Sequence, residues 1–286
     1  MSNIPICQCN TEVLSNREIG PGLYWIDLLA PDITRHALPG HFVHLVASDV
    51  SEDSSRQTWL RHTPLLRRPF SIAERDPEKG VFGLIYRIVG GGTEILAMRR
   101  RGERINVLGP LGRPLEPVRA GRSAIMVAGG VGVAPFLSLA QETVRDGRAG
   151  PEELAVLFGA ATAGLLSGEE KFRRLGFDVK LATDDGSTGY HGLVTALLER
   201  ELARSPGRCA YLYACGPTPM MRRCQQIARD AGIAGQVSLE GIMPCGVGVC
   251  MACVVPCVDP ADRSSPRRYE RVCDTGPVFD MQEVVL

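Results

Sequence analysis

The sequence SAIMVAGGVGVAP, residues 123–135, decides the fold of this 286-residue chain. An apolar run, Ala124–Val127, predicts a strand that leads into a helix opening at Pro135. Three glycines lie between them: Gly129, Gly130 and Gly132. Glycine lets the backbone approach a ligand closely and a helix amino terminus favours an anion, so this pattern indicates a phosphate site. Pro135 replaces the third glycine of a strict G-x-G-x-x-G motif, so a purely structural turn is an alternative.

Three more apolar runs follow, separated by helical patterns: Leu154–Gly159, Asp178–Ala182 and Tyr211–Ala214. Strands that alternate with helices predict a parallel sheet covered by helices. The last strand ends in Cys215-Gly216-Pro217, a turn of small residues at the edge where ligands bind in this architecture. Cys215 is a candidate catalytic residue beside a bound nucleotide, and a buried structural thiol is the alternative.

The first part of the chain has a different pattern. Short apolar runs alternate with glycine, proline and polar breaks: Leu23–Leu29, Phe42–Ala47 and Val81–Val89. This pattern is typical of an antiparallel barrel or sandwich. Because side chains alternate along a strand, Tyr86 and Arg87 are predicted on opposite faces of the third run.

Two motifs in the predicted barrel are suited to a dinucleotide. One is Arg67-Arg68-Pro69-Phe70-Ser71, and the other runs from Tyr86 to Thr93 through Gly90, Gly91 and Gly92. An arginine and a glycine turn can share a pyrophosphate, and a serine hydroxyl can bond the edge of a flavin ring. Either motif alone would be a solvated face or a loop. Together, ahead of a nucleotide-binding pattern, they indicate a flavin site.

The chain has ten cysteines, and five of them lie near the carboxyl end. Four follow the spacing C-x4-C-x2-C plus a distant cysteine: Cys245, Cys250, Cys253 and Cys273. This is the plant-type ligand order of a [2Fe-2S] cluster, and Gly246 and Gly248 would let the loop wrap it closely. A zinc site and reduced structural thiols are alternatives, and Cys257 is a rival fourth ligand. In a reducing compartment such a group indicates a metal centre before disulfides.

Composition limits the function further. With 44% hydrophobic residues, 22% charged residues and no net charge, we expect an ordinary globular protein and no nucleic-acid partner. The amino terminus shows no secretion or transit pattern, which predicts a cytoplasmic protein. The charge-free stretches 123–141 and 241–258 are too rich in glycine and proline for a membrane span. We predict a barrel domain over 1–117, a parallel-sheet domain over 118–236 and a cluster-binding segment over 237–286.

Taken in order, these motifs resemble the ferredoxin-reductase-like flavoproteins. The stretches SLE at 238–240, CGVGVC at 245–250 and CDTGPVF at 273–279 are similar to those of the electron-transfer subunits of NAD-dependent dihydroorotate dehydrogenase. The resemblance covers nearly the whole chain. It implies an FAD-binding barrel, an NAD-binding second domain and a [2Fe-2S] tail that faces an FMN-containing catalytic subunit, in a heterotetramer of two plus two chains.

The resemblance also implies site residues by motif. The FAD contacts would be Arg68, Pro69, Phe70, Ser71, Tyr86, Arg87, Gly92 and Thr93. The NAD contacts would be Gly129, Gly130, Gly132, Gly216 and Pro217, with Cys215 beside the nicotinamide. No arginine follows the strand Leu154–Phe158 that could hold a 2′-phosphate, which favours NAD over NADP.

The implied activity is that of an NAD-linked oxidoreductase subunit in pyrimidine biosynthesis. Dihydroorotate would be oxidised at FMN on the partner, and its electrons would reach NAD⁺ through the cluster and FAD, since a flavin exchanges both single electrons and a hydride. One alternative is a cluster-bearing NAD(P)H reductase subunit that exchanges electrons with ferredoxin or a sulfur substrate. Another is a zinc-stapled nucleotide sensor without enzymatic activity.

Overall fold

The computed structural model describes residues 4–47, 66–119, 121, 123–147, 149–259 and 268–286. The first part of the described chain contains the strands Cys7–Gly20 (β1), Leu23–Leu29 (β2), Phe42–Leu45 (β3), Arg68–Asp76 (β4), Val81–Arg87 (β5) and Arg104–Leu111 (β6), with the helices Pro31–His36 (α1) and Gly91–Ala97 (α2). The strands pair antiparallel in the order β1-β2-β5-β4-β3-β6 and close a barrel. The predicted barrel is therefore confirmed.

Strand β5 shows why the barrel forms. Phe82, Leu84 and Tyr86 are buried in the barrel core, whereas Arg87 is exposed, so the predicted alternation is confirmed. Ile85, on the outer face, packs against residues of the second domain. The strand is buried on both faces, which explains its nearly continuous apolar sequence.

The remaining elements follow in chain order. They are Ser123–Gly129 (β7), Ala134–Asp146 (α3), Leu154–Ala160 (β8), Glu169–Arg174 (α4), Asp178–Thr183 (β9), Tyr190–His191 (β10), Val194–Arg204 (α5), Cys209–Cys215 (β11), Thr218–Asp230 (α6), Ala234–Ser238 (β12), Val254–Cys257 (β13), Arg268–Arg271 (β14) and Val278–Asp280 (β15). One sheet has the order β10-β9-β8-β7-β11-β12-β15, with parallel pairing up to β12, as predicted. No helix in the described part of the chain is both long and apolar enough to cross a membrane.

The tail shares a core with this sheet. β15 pairs antiparallel with β12, and Val237 lies opposite Phe279. The side-chain amide of Gln225, buried in α6, donates to the carbonyl oxygens of Met281 (2.6 Å) and Val284 (2.7 Å). The predicted boundary between residues 236 and 237 falls inside β12. The three divisions stay a prediction as folding units.

A buried ion pair joins the barrel to the sheet domain. Arg75 of β4 has only 6% of its side chain exposed, and its Nη2 lies 2.7 Å from Oε2 of Glu142 in α3. The backbone N–H of Arg75 also donates to Oε1 of Gln141 (3.2 Å). These bonds fix α3 against β4. They thereby join the helix after the glycine turn to the strand that carries the first flavin motif.

Candidate functional site

The four cysteines of the predicted cluster site stand in two pairs. The backbone N–H of Cys250 donates to Cys245 Sγ (3.5 Å), and the backbone N–H of Cys273 donates to Cys253 Sγ (3.4 Å). Within the described residues, no three His, Cys, Asp or Glu side chains are grouped so as to hold a single metal ion. Two pairs of thiols suit a [2Fe-2S] cluster, in which four cysteines serve two irons.

The segment 245–253, here called the cysteine loop, has backbone amides that suit anionic sulfur. Burial raises the pKa of Cys245, but the neighbouring backbone N–H groups, led by that of Cys250, outweigh burial and bring the pKa down to about 6. The N–H of Gly248 donates to Cys273 Sγ (3.2 Å), although burial and the nearby Cys253 thiol raise the pKa of Cys273 to about 12. A bound metal would release these thiol protons, because ligation requires the thiolate.

Cys257, the rival fourth ligand, faces a different environment. It is 1% exposed in β13, and it pairs with Arg268 in β14. Burial raises the pKa of its thiol, and the charges that act on it are those of Arg268, Glu270 and Glu283. Cys273 bonds with Cys253 and with the loop at Gly248, whereas the charged neighbours of Cys257 belong to β14 and the end of the chain. The ligand roles themselves stay a prediction.

The two glycines of the cysteine loop are required by conformation and by packing. Gly246 and Gly248 have φ values of +74° and +77°, in the left-handed region that favours glycine. A Cβ on Gly246 would lie 2.6 Å from Cε1 of His44, and a Cβ on Gly248 would lie 3.0 Å from Oδ2 of Asp274. The loop is therefore pressed against the barrel on one side and against the tail on the other.

The first flavin motif opens β4. Pro69 and Ser71 are half-buried and lie directly opposite His44 and Phe42 of β3. Directly paired residues of an antiparallel ladder share one face. Phe42 belongs to the core that includes Cys253 and Cys273. Pro69 and Ser71 therefore lie on the face of the barrel that meets the tail.

The other members of this motif lie differently. The Arg68 guanidinium donates to the carbonyl oxygen of Leu66 (2.7 Å) at the start of the strand. The Phe70 ring packs edge-on against the ring of Tyr86, 5.8 Å away, and the Tyr86 hydroxyl donates to Oδ1 of Asn16 (2.9 Å). Phe70 and Tyr86 thus help to fix the barrel wall, and their predicted contacts with FAD stay a prediction.

The second flavin motif ends in an open turn. Thr93 Oγ1 accepts the N–H of Val89 (2.9 Å) and donates to the carbonyl oxygen of Gly90 (2.9 Å). A Cβ on Gly90 or Gly91 would have no neighbour within 4 Å. Arg87 is exposed directly before this turn. A pyrophosphate could therefore approach both the guanidinium and the backbone, as the motif predicts.

The predicted NAD residues lie on two turns that interlock. β7 ends at Gly129, a short 3₁₀ turn spans Gly130–Val133, and α3 begins at Ala134, one residue before the predicted start. A Cβ on Gly132 would lie 2.6 Å from the carbonyl carbon of Cys215 and 2.7 Å from the amide nitrogen of Gly216. A Cβ on Gly129 would lie 2.7 Å from Cδ of Pro217.

This arrangement brings the five predicted NAD contacts to one edge of the sheet. In addition, β5 of the barrel contacts the turn Gly130–Val133, and Ile85 shares a core with Val133. The strand that carries the second flavin motif therefore lies against the turn predicted to bind NAD.

Cys215 closes β11 with 1% of its surface exposed. Burial raises the pKa of its thiol well above the ordinary value, the charge of Glu240 raises it further, and a hydrogen bond with Ser238 opposes them. The thiol is therefore protonated near neutral pH and suits a neutral neighbour of a bound nucleotide rather than a thiolate nucleophile. Its catalytic role stays a prediction.

The sequence analysis gave no role to two residues of this site. The charge of Glu240 raises the pKa of Cys215, and the place of Glu240 in the SLE stretch, which begins at the last residue of β12, was a signal that could have found it. The His44 ring is fully buried against Gly246. Nothing in its local sequence marks it, because its environment is formed by a loop about 200 residues away.

Comparison with known proteins agrees with this arrangement. Residues 126–226 match the oxidoreductase NAD-binding domain, and residues 240–285 match the iron-sulfur cluster binding domain of dihydroorotate dehydrogenase B. Among solved structures, the chain is similar to one from an NADH-dependent reduced ferredoxin-NADP oxidoreductase, with a TM-score of 0.79, 28% identity, and coverage of 97% of this chain and 90% of that chain. The cytochrome b5 reductase domain of Ulva prolifera nitrate reductase shares the fold, with a TM-score of 0.61, 17% identity, and coverage of 79% and 94%.

Two relatives carry the comparison further. The dihydroorotate dehydrogenase B (NAD(+)) electron transfer subunit of Desulforamulus reducens is 36% identical over 276 residues, which are 96% of this chain and 97% of the relative. The subunit of the same name from Bacillus cereus is 38% identical over 281 residues, 97% of this chain and 98% of the relative. At this identity over nearly the full length, the chain belongs to the family of dihydroorotate dehydrogenase B electron transfer subunits.

Proposed function

We propose that this chain is the electron-transfer partner of an FMN-containing dihydroorotate dehydrogenase subunit and delivers electrons from dihydroorotate to NAD⁺, with a [2Fe-2S] cluster and FAD as cofactors. The observation that carries the proposal is that one face of the barrel contacts the tail and also bears part of the first flavin motif. Ser71 of the flavin motif and Phe42 lie on one face of the barrel, and Phe42 packs in one core with Cys253 and Cys273. The flavin and cluster motifs thus meet at this face.

The chain's own residues hold and separate the cofactors. When bound, the cluster exchanges single electrons and the flavin exchanges single electrons or a hydride, which links one-electron transfer to NAD. The thiolates of Cys245, Cys250, Cys253 and Cys273 would hold the cluster. Arg87 and the open turn after it would bind the FAD pyrophosphate, and the Ser71 hydroxyl would donate to the flavin ring edge.

The nucleotide turn supports NAD as the acceptor. Gly130 and Gly132 open the way to the amino end of α3, where a pyrophosphate is stabilised. The N–H groups of Asp184 and Asp185 donate to the carbonyl oxygens of Ala160 (3.1 Å) and Ala161 (3.2 Å). Two exposed acidic residues therefore stand beside the end of β8, where NADP would require positive charge for its 2′-phosphate.

The surface around the cysteine loop supports a protein partner. Ile242, Val249, Met251 and Tyr269 are 83%, 78%, 51% and 64% exposed. Apolar side chains grouped on a surface commonly mark a protein interface. We propose that this surface docks the FMN-containing subunit, in a complex of two plus two chains. All ten cysteines are free, which supports a reducing compartment such as the cytoplasm.

Reconstitution with the catalytic subunit tests the proposed function. The anaerobically purified chain alone should oxidise NADH with an artificial acceptor and show no activity with dihydroorotate. The mixture should reduce NAD⁺ when dihydroorotate is added, measured by absorbance at the NADH band. A mixture that is inactive with dihydroorotate, while the chain exchanges electrons between NADH and ferredoxin, would establish the alternative reductase.

Ile242→Asp should lower the dihydroorotate-dependent rate at least about tenfold, because a charge would be buried in the docking surface. NADH oxidation with an artificial acceptor should not change. The matched control is Leu193→Asp, since Leu193 is also exposed (61%) but belongs to the parallel-sheet domain, directly before α5, and not to the tail. Equal effects of the two variants would count against this docking surface.

A further inference from the structure

His44 occupies an unusual position between the flavin motif and the cluster motif. Its side chain is fully buried, and neither Nδ1 nor Nε2 has a hydrogen-bond partner among the residues that the structure describes. A buried polar group without a partner costs free energy, and native proteins rarely leave such groups unsatisfied. The ring therefore requires a hydrogen-bond partner that the described part of the chain does not supply.

The surroundings of the ring limit what that partner can be. A Cβ on Gly246 would lie 2.6 Å from Cε1, 2.7 Å from Nδ1 and 3.0 Å from Nε2, so the nitrogen-bearing edge faces the cysteine loop. The centroid of the Phe42 ring lies 5.6 Å from that of His44, and the Phe42 ring carries no oxygen, nitrogen or sulfur acceptor. Gly246 directly follows Cys245, so the sulfur atoms of a cluster on this loop would lie on the side that the ring edge faces.

The charge state of the ring fits a donor. Burial, and then the charge of Arg67, lower the pKa of His44 to about 4, so the imidazole is neutral near pH 7. A neutral imidazole carries one N–H, and the tautomer is set by the acceptor it meets. Thiolate and sulfide sulfurs accept hydrogen bonds, and such bonds raise the reduction potential of an iron-sulfur cluster.

We propose that the His44 imidazole donates a hydrogen bond to a sulfur of the cluster held through Cys245 and thereby raises the reduction potential of that cluster. The inference rests on the proposed function, because it requires the cluster. The proposed bond adds a residue of the barrel to the cluster site. His44 lies in β3, which pairs with β4, the strand of the first flavin motif, so the barrel would affect the reduction potential of the cluster directly.

The test is a redox titration of the cluster in the purified full chain, followed by electron paramagnetic resonance. In His44→Phe, which keeps a buried ring without a donor, the ratio of reduced to oxidised cluster at a fixed potential should fall about tenfold, a shift of about 59 mV for a one-electron centre. His44→Gln keeps an N–H donor and should restore most of the ratio. The control is His41→Phe, a second buried histidine that lies beside Arg75 and should leave the ratio unchanged.

Several results would overturn the inference. Iron and sulfide contents like those of the wild type, with an unchanged cluster potential in His44→Phe, would do so. A shift of the flavin potential alone would also do so, because the donor would then serve the flavin. If His44→Phe fails to assemble the cluster, pulsed electron paramagnetic resonance on wild-type protein labelled with ¹⁵N-histidine decides. A coupling between a histidine nitrogen and the reduced cluster that persists in His41→Phe supports the bond. The absence of any such coupling refutes it. Wild-type protein without iron and sulfide would refute the proposed function itself.

Discussion

Cys273→Ala should abolish assembly of the [2Fe-2S] cluster, whereas Cys257→Ala should leave it intact. Cys273 pairs with Cys253 through a backbone N–H to sulfur bond, and its own Sγ accepts the N–H of Gly248. Removing one of four thiolates leaves an iron incompletely ligated, and outer hydrogen bonds cannot replace the lost ligand. Cys257 faces the strand pair β13 and β14, among Arg268, Glu270 and Glu283, so its thiol is not expected to reach the cluster.

A visible spectrum with iron, sulfide, zinc and flavin analysis measures both variants. The wild type and Cys257→Ala should each contain about two irons and two sulfides per chain. Cys273→Ala should lose the iron-sulfur absorbance and keep its flavin bands, because the flavin motifs lie on the barrel. Loss of the cluster in Cys257→Ala alone would exchange the two assignments. A colourless wild type that contains zinc would refute the electron-transfer function.

Local signals explain why most of the fold was predictable. The runs Leu23–Leu29 and Leu154–Gly159 appear as strands because their alternation, apolar continuity and flanking turns lie within a few residues of sequence. The turn after Ala128 was predictable for the same reason, since its glycines lie directly between an apolar run and a helical pattern. The cysteine spacing identified four candidate cluster ligands from residue order alone, and their ligand roles stay a prediction.

Long-range contacts explain what the sequence did not predict. β15 has only three residues, and the residues that follow it are held by the amide of Gln225, 56 to 59 residues earlier in the chain. Tyr86 was expected to contact FAD on motif grounds, but burial against Phe70 and the bond to Asn16 depend on strands distant in sequence. The same holds for His44, whose neighbour Gly246 belongs to the opposite end of the chain. Hydrophobic periodicity carries no information on such pairs.

Gly132→Ala should weaken NAD binding about 100-fold or more. The new Cβ would lie 2.6 Å from the carbonyl carbon of Cys215 and 2.7 Å from the N–H nitrogen of Gly216, and backbone atoms cannot rotate away as a flexible side chain would. The turn Gly130–Val133 and the turn Gly216-Pro217 must therefore move apart. Both turns are predicted to contact the nucleotide, and a displacement of about 1 Å in such a site can cost about 100-fold.

The matched control is Gly232→Ala, placed after α6. Gly232 has φ of +65°, and a Cβ there would meet nothing within 4 Å, so alanine should cost about 1–2 kcal/mol of backbone strain and leave NAD binding unchanged. The rate of flavin reduction at rising NADH concentrations gives the apparent Kd for each variant, and urea denaturation gives the stability. If Gly132→Ala bound NADH like the wild type, the two interlocked turns would not form the nucleotide site. If both variants lost stability equally and only Gly132→Ala lost NADH binding, the close approach of the two turns would be the cause, because a loss of stability is common to both variants.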